Sequence, residues 1–525
     1  MTAMQGSPNG QSKSFEEAVS LTGFGKFNLY VILATGGCLM CVIIETLNSM
    51  FIAPAAKCDL NLSLGDKGLL YSISFLGVVS GSHLWGYLAD TRGRKFVTLF
   101  SLLSSAVFSF IGSLISLTWL FMVLRFVNGF LIGGSSAIIY AYVGEFHDNK
   151  YRAKVVSWIS TFIALGNMYL PGLAWLILPE EWSYEISGLN VSFRPWRLLM
   201  IVYSLPCLFF AVLVFFLPES PKYLISQGKH QEALAILRKI FSINSGKSED
   251  EFPVSSIIWE ETSEVNHEKN EGLLRSMWEQ TAPLFRKEYL LRTMMVSMLQ
   301  FIMFFTTAAV IMWYPTVLNL MSEYGEVVSQ SEVTMCKSVM YDQNNKNVNI
   351  ALNPPENDTV TKLLVSDSCS DTVNESVFLV SLIVGGCYAV CYIFNGTFIN
   401  IIGAKRLLIG IMIVTTVCGI CAQLLHGYTV IQITLGIFLM VATGVGVVNA
   451  VVVDLFPTQI RGMALAVSLM FGRFGAVTGS NTGGLIVYNA CDYLFYICGA
   501  AHIVVIIIVL LMASQKKPTK EKVPA

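Results

Sequence analysis

Long apolar runs alternate with short polar connections along most of the chain. A helix of roughly 20 apolar residues crosses a bilayer core about 30 Å thick, and twelve runs approach this length. Six of them precede a long polar segment, and six follow it. The predicted spans are residues 29–52, 68–89, 96–116, 119–142, 155–178, 197–217, 293–318, 377–400, 407–425, 429–453, 463–488 and 493–513.

This six-plus-six pattern predicts an all-α polytopic membrane protein with twelve transmembrane helices in two six-helix bundles. The expected divisions are an N-terminal tail at 1–28, a first bundle at 29–217, a linker at 218–292, a second bundle at 293–513 with an exterior loop at 319–376, and a C-terminal tail at 514–525.

The composition agrees with a membrane protein and excludes other classes. Apolar residues make up 54% of the chain and charged residues 13%, whereas soluble proteins contain about 25% charged residues. The net charge of −1 gives no indication of nucleic-acid binding. The sequence contains no P-loop, no Cys–His metal spacing and no nucleophile–base arrangement. We therefore expect neither an enzyme nor an ATP-driven pump, and no cofactor or metal.

The distribution of positive charge predicts the orientation. Lysine and arginine favour the cytoplasmic side, and most of the 34 in this chain lie on the same side as both termini. Both termini are therefore expected in the cytoplasm. The protein itself is expected in either the plasma membrane or an intracellular vesicle membrane. Glycosylation sequons in predicted exterior loops support this orientation. The candidate acceptors are Asn61, Asn190, Asn357 and Asn374.

Two cysteines differ from the rest in their surroundings. Most of the twelve cysteines lie in apolar runs, but Cys336 and Cys369 lie in the polar exterior loop. We expect a disulfide between these two if the loop faces an oxidising compartment.

The two halves share a polar motif at a nearly constant offset. Glycine, an acid or amide, a second glycine and a base recur at the same spacing where the second and eighth spans end. An acid and an arginine seven residues further on recur after the fourth and tenth spans. The residues in the first half are Gly86, Asp90, Arg92, Gly93, Arg94, Lys95, Glu145 and Arg152. Those in the second half are Gly396, Asn400, Gly403, Lys405, Asp454 and Arg461.

These motifs indicate two parallel six-helix repeats with a solute site between them near the midplane. Glycines permit tight turns and close helix approach, and ion pairs at one membrane face can form in one conformation and break in another. We interpret the motifs as gating elements. The alternative is a basic loop that only sets topology.

The residues 86–95 resemble the signature loop of the major facilitator superfamily. The run that starts at Arg125 resembles its fourth-helix motif, and Pro218-Glu-Ser-Pro-Lys222 resembles a motif of sugar and organic-ion transporters. The chain is more closely similar to the synaptic vesicle glycoprotein 2 group. The stretches that carry this similarity are 84–95, 125–146, 218–233, 313–315 and 448–450. The resemblance implies the major facilitator fold and transport by alternating access.

The chain also departs from that group. The group carries two acids three residues apart in its first helix, whereas here Glu45 is accompanied by Val42. Thr316 replaces an acid after the Trp-aromatic-Pro of the seventh helix, and the exterior loop is much shorter. The short loop argues against a receptor role that depends on it, whereas the missing acids keep a non-transporting role open.

Three charged residues lie in the interior of predicted spans, away from the span ends. A charge at the bilayer centre costs about 3 kcal/mol on insertion scales, so each needs a partner, water or a proton. Glu45 is either a proton-coupling or cation-binding group or a member of a structural ion pair. Arg473 either pairs with Glu45 or binds an anionic solute. Arg125 is interpreted as structural or proton-linked.

Aromatic and amide side chains are the other candidates for a solute cavity. Trp175 and Trp313 match residues that line the central cavity in the synaptic vesicle glycoprotein 2 group, and an aromatic wall suits an apolar or cationic solute. The alternative for both is anchoring at the membrane interface. Asn48 and Asn449 can hydrogen-bond a solute or neighbouring helices.

Two functions remain open from the sequence. The first is secondary transport of a small organic solute, expected to be an organic ion, by alternating access coupled to protons or another ion. The second is a non-transporting protein of vesicle trafficking, or a receptor or regulator, with the same fold. The sign of the solute's charge is undecided, because Glu45 favours cations and Arg473 favours anions.

Overall fold

Helices dominate the computed structural model, which describes residues 11–186, 191–258, 281–352, 373–456 and 458–514. The first half contains β1 (Gln11–Ser14), α1 (Phe15–Leu21), α2 (Lys26–Leu47), α3 (Ser49–Ala55), α4 (Leu64–Arg92), α5 (Arg94–Ser113), α6 (Thr118–Gly144), α7 (Asn149–Ile177), β2 (Tyr184–Ile186), β3 (Val191–Phe193) and α8 (Pro195–Phe216). The linker contains α9 (Pro221–Ser226), α10 (His230–Ser245) and β4 (Val254–Ile258).

The second half repeats the alternation of long helices and short turns. It contains α11 (Lys287–Ile311), α12 (Tyr314–Val327), α13 (Met335–Leu352), α14 (Glu375–Ile402), α15 (Ala404–Leu424), α16 (Tyr428–Leu439), α17 (Gly444–Leu455), α18 (Thr458–Asn489) and α19 (Leu494–Ser514).

The predicted spans correspond to these helices. In the described part of the chain, eleven helical segments are long and apolar enough to cross a membrane. The remaining span is the second, α4, which carries many small and polar residues and packs between α6 and α18. The first, seventh and tenth spans are each divided into two helices, so that twelve spans comprise fifteen helices. The prediction of an all-α protein with twelve transmembrane helices is confirmed.

Two of these breaks have a local cause. The seventh span breaks at Trp313, and Pro315 follows at the start of α12, where the amide hydrogen that proline lacks would have no helical partner. The tenth span passes through a 3₁₀ turn, Met440–Thr443. The first breaks at Asn48, which keeps a helical backbone conformation and turns its side chain into the core.

The two ends of the bundle differ in their apolar core. We call the end with residues 92–94, 145–148 and the linker the linker end, and the opposite end the loop end. At the loop end, buried side chains of both halves form one cluster, in which Phe51 lies 6.2 Å from Phe378 between ring centroids. Towards the linker end, the described core residues separate into clusters that each belong to a single half. The halves are therefore joined at the loop end and separate at the linker end.

The N-terminal segment folds together with the linker. β1 pairs in parallel with β4, and buried side chains of α1, α10 and β4 join the core of the first half. Arg152 at the start of α7 donates to both carboxylate oxygens of Glu16 at 3.0 Å. The predicted tail thus contains an ordered strand and helix.

The predicted disulfide between Cys336 and Cys369 is wrong for Cys336. Cys336 on α13 pairs with Cys491, which follows α18, with 5.6 Å between their Cα atoms. The reason is tertiary, because α13 folds back over the loop end of α18, where Gln343 also donates to the carbonyl of Tyr488 at 2.7 Å. Cys369 lies outside the described residues.

Two of the four predicted glycosylation sites lie in the described part of the chain. Asn61 and Asn374 are both exposed and both lie at the loop end. Asn190 and Asn357 lie outside the described residues. Glycosylation at these positions stays a prediction.

Candidate functional site

Glu45 and Arg125 form a buried ion pair in the first half. Glu45 on α2 is fully buried, and Arg125 on α6 is almost so. Arg125 Nη1 lies 3.6 Å from Glu45 Oε2, and Ser109 on α5 donates to the same oxygen at 2.7 Å. Three helices thus converge on one carboxylate.

The break after α2 supplies further partners to Arg125. Its Nη2 donates to the Glu45 carbonyl and to Asn48 Oδ1, both at 2.6 Å, and to Ser74 Oγ at 3.2 Å. Asn48 is therefore part of the Glu45 network. The structure places Arg125 beside Glu45, so the predicted alternative of an ion pair between Glu45 and Arg473 is wrong.

Arg473 occupies the middle of α18 and reaches across to the first half. Its Nη1 donates to Ser82 Oγ on α4 at 2.6 Å, and its Nη2 donates to Ser136 Oγ on α6 at 2.5 Å. None of the described carboxylates lies within ion-pair distance of Arg473. Within the described part of the chain, this positive charge between the halves is therefore hydrogen-bonded by neutral groups alone.

Trp313 belongs to an aromatic cluster that joins the halves at the loop end. Its ring lies edge-on to Tyr71 of the first half, at 5.0 Å between centroids, and near Tyr488 at 5.9 Å. Its Nε1 donates to the Ser480 carbonyl at 2.8 Å. Trp175 on α7 is instead exposed, so these two residues are not brought together.

A cavity lies between the halves beside this cluster. Its lining includes Phe51, Asn167 and Leu170 from the first half and Tyr314, Ser381 and Tyr388 from the second. The Tyr314 hydroxyl is buried and has no hydrogen-bond partner among the described residues. Asn449 lies apart from it on α17, where its Oδ1 accepts from Gln300 Nε2 at 2.7 Å.

The first-half gating motif forms a charged network at the linker end. Gly93 joins α4 to α5 with a positive φ of 102°, a conformation that favours glycine. Arg94 pairs with Asp90 at 2.9 Å and with Glu145 at 3.4 Å. Burial raises the pKa of Glu145, and the charge of Arg94 opposes this rise. Gly86, by contrast, has open space where a Cβ would stand, so close helix approach does not explain it.

Glu219 and Ser220 complete this network, although the sequence did not nominate them as site residues. Glu219 accepts from the backbone amides of Arg94 and Lys95 at 2.9 and 3.1 Å and so caps α5. Ser220 donates to the Glu145 carboxylate. The sequence feature that could have identified both residues is the Pro-Glu-Ser-Pro motif that follows the sixth span. In the structure this motif packs against the Gly93 turn.

The second-half motif is described only in part. Gly403 joins α14 to α15 with a φ of 89°, like Gly93. Lys405 Nζ donates to the Met512 carbonyl at 3.0 Å, and Gly396 lies within α14. The side chains of Asn400, Asp454 and Arg461 lie outside the described part of the structure. Their gating role therefore stays a prediction.

Two helical halves around polar groups at their interface define a multi-pass membrane protein with a transporter fold. A model of the sugar (and other) transporter family matches residues 29–340, and one of the major facilitator superfamily matches residues 364–525. The chain therefore belongs to the sugar (and other) transporter family within the major facilitator superfamily.

Curated relatives include the synaptic vesicle glycoproteins. Human synaptic vesicle glycoprotein 2B is 30% identical over 323 residues, which cover 58% of this chain and 47% of that protein. Synaptic vesicle glycoprotein 2A of Rattus norvegicus is 30% identical over 326 residues, covering 59% of this chain and 44% of that protein. The matched region thus spans about half the length of each relative.

Solved structures with the same fold are more distant in sequence. The partially occluded inward-open conformation of the xylose transporter XylE from E. coli has a TM-score of 0.62 at 16% identity and covers 93% of this chain and 100% of that chain. A crystal structure of a D-xylose-proton symporter has a TM-score of 0.57 at 17% identity and covers 94% of this chain and 99% of that chain. At these identities the similarity establishes the fold alone.

Proposed function

We propose that this chain is a secondary active transporter that carries a small organic anion by alternating access. The observation that carries this proposal is Arg473, whose guanidinium lies between the halves and, among the described residues, has only serine hydroxyls as hydrogen-bond partners. A guanidinium fork matches the two oxygens of a carboxylate, and such charge-assisted bonds are about twice as strong as neutral ones. An anionic solute is therefore the natural partner.

The Glu45–Arg125 pair removes the main argument for a cationic solute. The negative charge of Glu45 is already balanced by Arg125 within the first half, so little net charge remains to attract a cation. The same pair supports proton coupling, because protonation of Glu45 would weaken its hold on Arg125, which also bonds Asn48 and Ser74. A solved relative in fold is described as a D-xylose-proton symporter, and proton coupling here is part of our proposal.

The conformation is consistent with alternating access. The apolar core is shared by both halves at the loop end and divided at the linker end, which fits a carrier closed on one side. With the predicted orientation, the linker end faces the cytoplasm. The relatives suggest a vesicle membrane as one location.

The test is uptake into liposomes that contain the purified protein, with and without an imposed pH gradient. A panel of organic anions, cations and neutral solutes would be compared by mass spectrometry. We expect uptake of at least one anion, a loss of ten-fold or more in Arg473→Gln, and a loss of gradient dependence in Glu45→Gln. Arg286→Gln, which changes an exposed arginine, is the matched control.

Other outcomes would decide against parts of the proposal. Uptake restricted to cations or neutral solutes would contradict the role of Arg473. If a folded, correctly inserted protein moved no solute, the second function would be favoured, a non-transporting vesicle protein. That alternative is supported by the curated relatives and by Thr316, which stands where the synaptic vesicle glycoprotein 2 group has an acid and lies 3.4 Å from the Tyr71 hydroxyl.

A further inference from the structure

Arg473 makes a hydrogen-bonded contact between the two halves near the middle of the span. Its two terminal nitrogens bind hydroxyls on two different helices of the first half, Ser82 on α4 and Ser136 on α6. Any motion that separates α18 from α4 and α6 must break both bonds.

The two hydroxyl oxygens accept from the two terminal nitrogens that one bidentate oxyanion would use. The parallel donors of a guanidinium fork match a carboxylate, and here each donor holds a separate neutral oxygen. Ser82 keeps a partner without Arg473, because its hydroxyl also donates to the Val78 carbonyl at 2.6 Å. Exchange of the serines for a carboxylate would therefore leave the Ser82 hydroxyl satisfied and give Arg473 stronger bonds.

We propose that Ser82 and Ser136 are positioning residues that hold the Arg473 fork in the solute-free carrier and are displaced by the carboxylate of the solute. Solute binding then releases a contact between the halves, and the empty carrier keeps it. This inference rests on the proposed transport of an organic anion. It adds that the serines compete with the solute for Arg473 and do not bind the solute themselves.

The first test compares two double variants with the wild type in the liposome assay. Ser82→Ala with Ser136→Ala removes the competing hydroxyls, so the KM for the transported anion should fall by about three- to ten-fold. Ser82→Thr with Ser136→Thr keeps the hydroxyls and should retain the wild-type KM. A rise in KM in the alanine variant would mean that the serines bind the solute, and an unchanged KM would mean that they do not compete. Either result overturns the inference.

The second test does not depend on transport. Thermal unfolding would be measured in detergent without solute for the wild type, the alanine double variant, Arg473→Met and their combination. Removing the serines should lower the unfolding temperature by a few degrees when Arg473 is present and change it little in the Arg473→Met background. Equal effects in both backgrounds would show that the contact does not exist, even if anion transport were established. If the effects of the substitutions at Arg473 and at the serines were coupled but the protein transported no anion, the contact would stand. The proposal that a solute carboxylate competes with the serines would then be rejected.

Discussion

At the residue scale, the buried charges show how position determines role. Glu45 and Arg473 are both ionisable side chains within spans, yet one has an opposite charge beside it and the other has hydroxyls. Removing charges from water costs several kcal/mol per ion unless an opposite charge and further hydrogen bonds compensate. Glu45 and Arg125 have the opposite charge and several of these hydrogen bonds within one half, although Glu45 Oε1 and two Arg125 nitrogens have no hydrogen-bond partner among the described residues. Their contact therefore contributes to stability, and coupling through protonation of Glu45 remains part of the proposal. Arg473 has the hydrogen bonds, but no described side chain supplies the opposite charge.

This difference predicts unequal effects of two substitutions in the first half. Arg125→Gln leaves the Glu45 carboxylate buried without a counter-charge and should destabilise the protein by about 3–5 kcal/mol. Glu45→Gln should destabilise it less, because Arg125 keeps its bonds to Asn48, Ser74 and a carbonyl. Denaturation monitored by circular dichroism in detergent would measure both. The combined variant should be more stable than Arg125→Gln alone, and equal stability would contradict this account.

At the element scale, glycines make a very close contact between α18 and α11. Gly475, Gly479 and Gly483 recur every fourth residue on α18, where a Cβ would lie 2.2–2.3 Å from carbonyl oxygens of α11. Small residues at this spacing let helix backbones approach closely in membranes. The contact fixes how α18, and with it Arg473, faces the first half.

A pair of alanine substitutions tests this contact. Gly479→Ala places a methyl group against the Phe305 carbonyl and should destabilise the second half by about 1–3 kcal/mol. Gly410→Ala on α15 has nothing within 4 Å of the new Cβ, so it should be neutral or stabilise the helix by up to about 1 kcal/mol. Thermal unfolding of both variants gives the comparison. A neutral Gly479→Ala would mean that the helices do not approach as closely as described.

At the scale of the whole molecule, the described apolar core joins the two halves at the loop end. The loop end is held by contacts between halves, including Phe51 with Phe378 and Tyr71 with Trp313. The linker end carries charged networks that involve Glu16, Arg94, Glu145 and Glu219. In the described chain these networks lie within the first half and its linker, so they do not hold the two halves together.

Weakening the loop-end core should therefore shift the carrier towards the opposite conformation. Phe51→Ala with Phe378→Ala removes a buried aromatic contact worth about 0.5–1.5 kcal/mol beyond its buried area. Spin labels introduced through non-canonical residues at the exposed positions Asn61 and Glu332 would report the loop end, and labels at Lys150 and Arg406 the linker end. We expect the first distance to increase and the second to decrease. If both distances stayed unchanged, contacts other than Phe51 with Phe378 would hold the loop end together.

The local composition of the sequence was sufficient to predict the spans, the division into two halves and the charged residues that are buried. Each span depends on a continuous apolar run, and each charge is conspicuous inside one, so Glu45, Arg125 and Arg473 were predictable. The turns at Gly93 and Gly403 were also predictable, because the spacing of the glycines in each motif is a local feature of the sequence. The span that corresponds to α4 was also predicted, at residues 68–89, although α4 carries many small and polar residues.

The partners of these residues were decided by tertiary structure. The pairing of Cys336 with Cys491, the capping of α5 by Glu219 and the pairing of β1 with β4 each join segments far apart in the chain. The choice of Arg125 for Glu45, and of two serines for Arg473, depends on how neighbouring helices are rotated about their axes. Hydropathy carries little information on that rotation inside a membrane, because apolar side chains point both to lipid and to protein. The sequence thus determined which residues are costly to bury, and the packing of the helices decided what each of them binds.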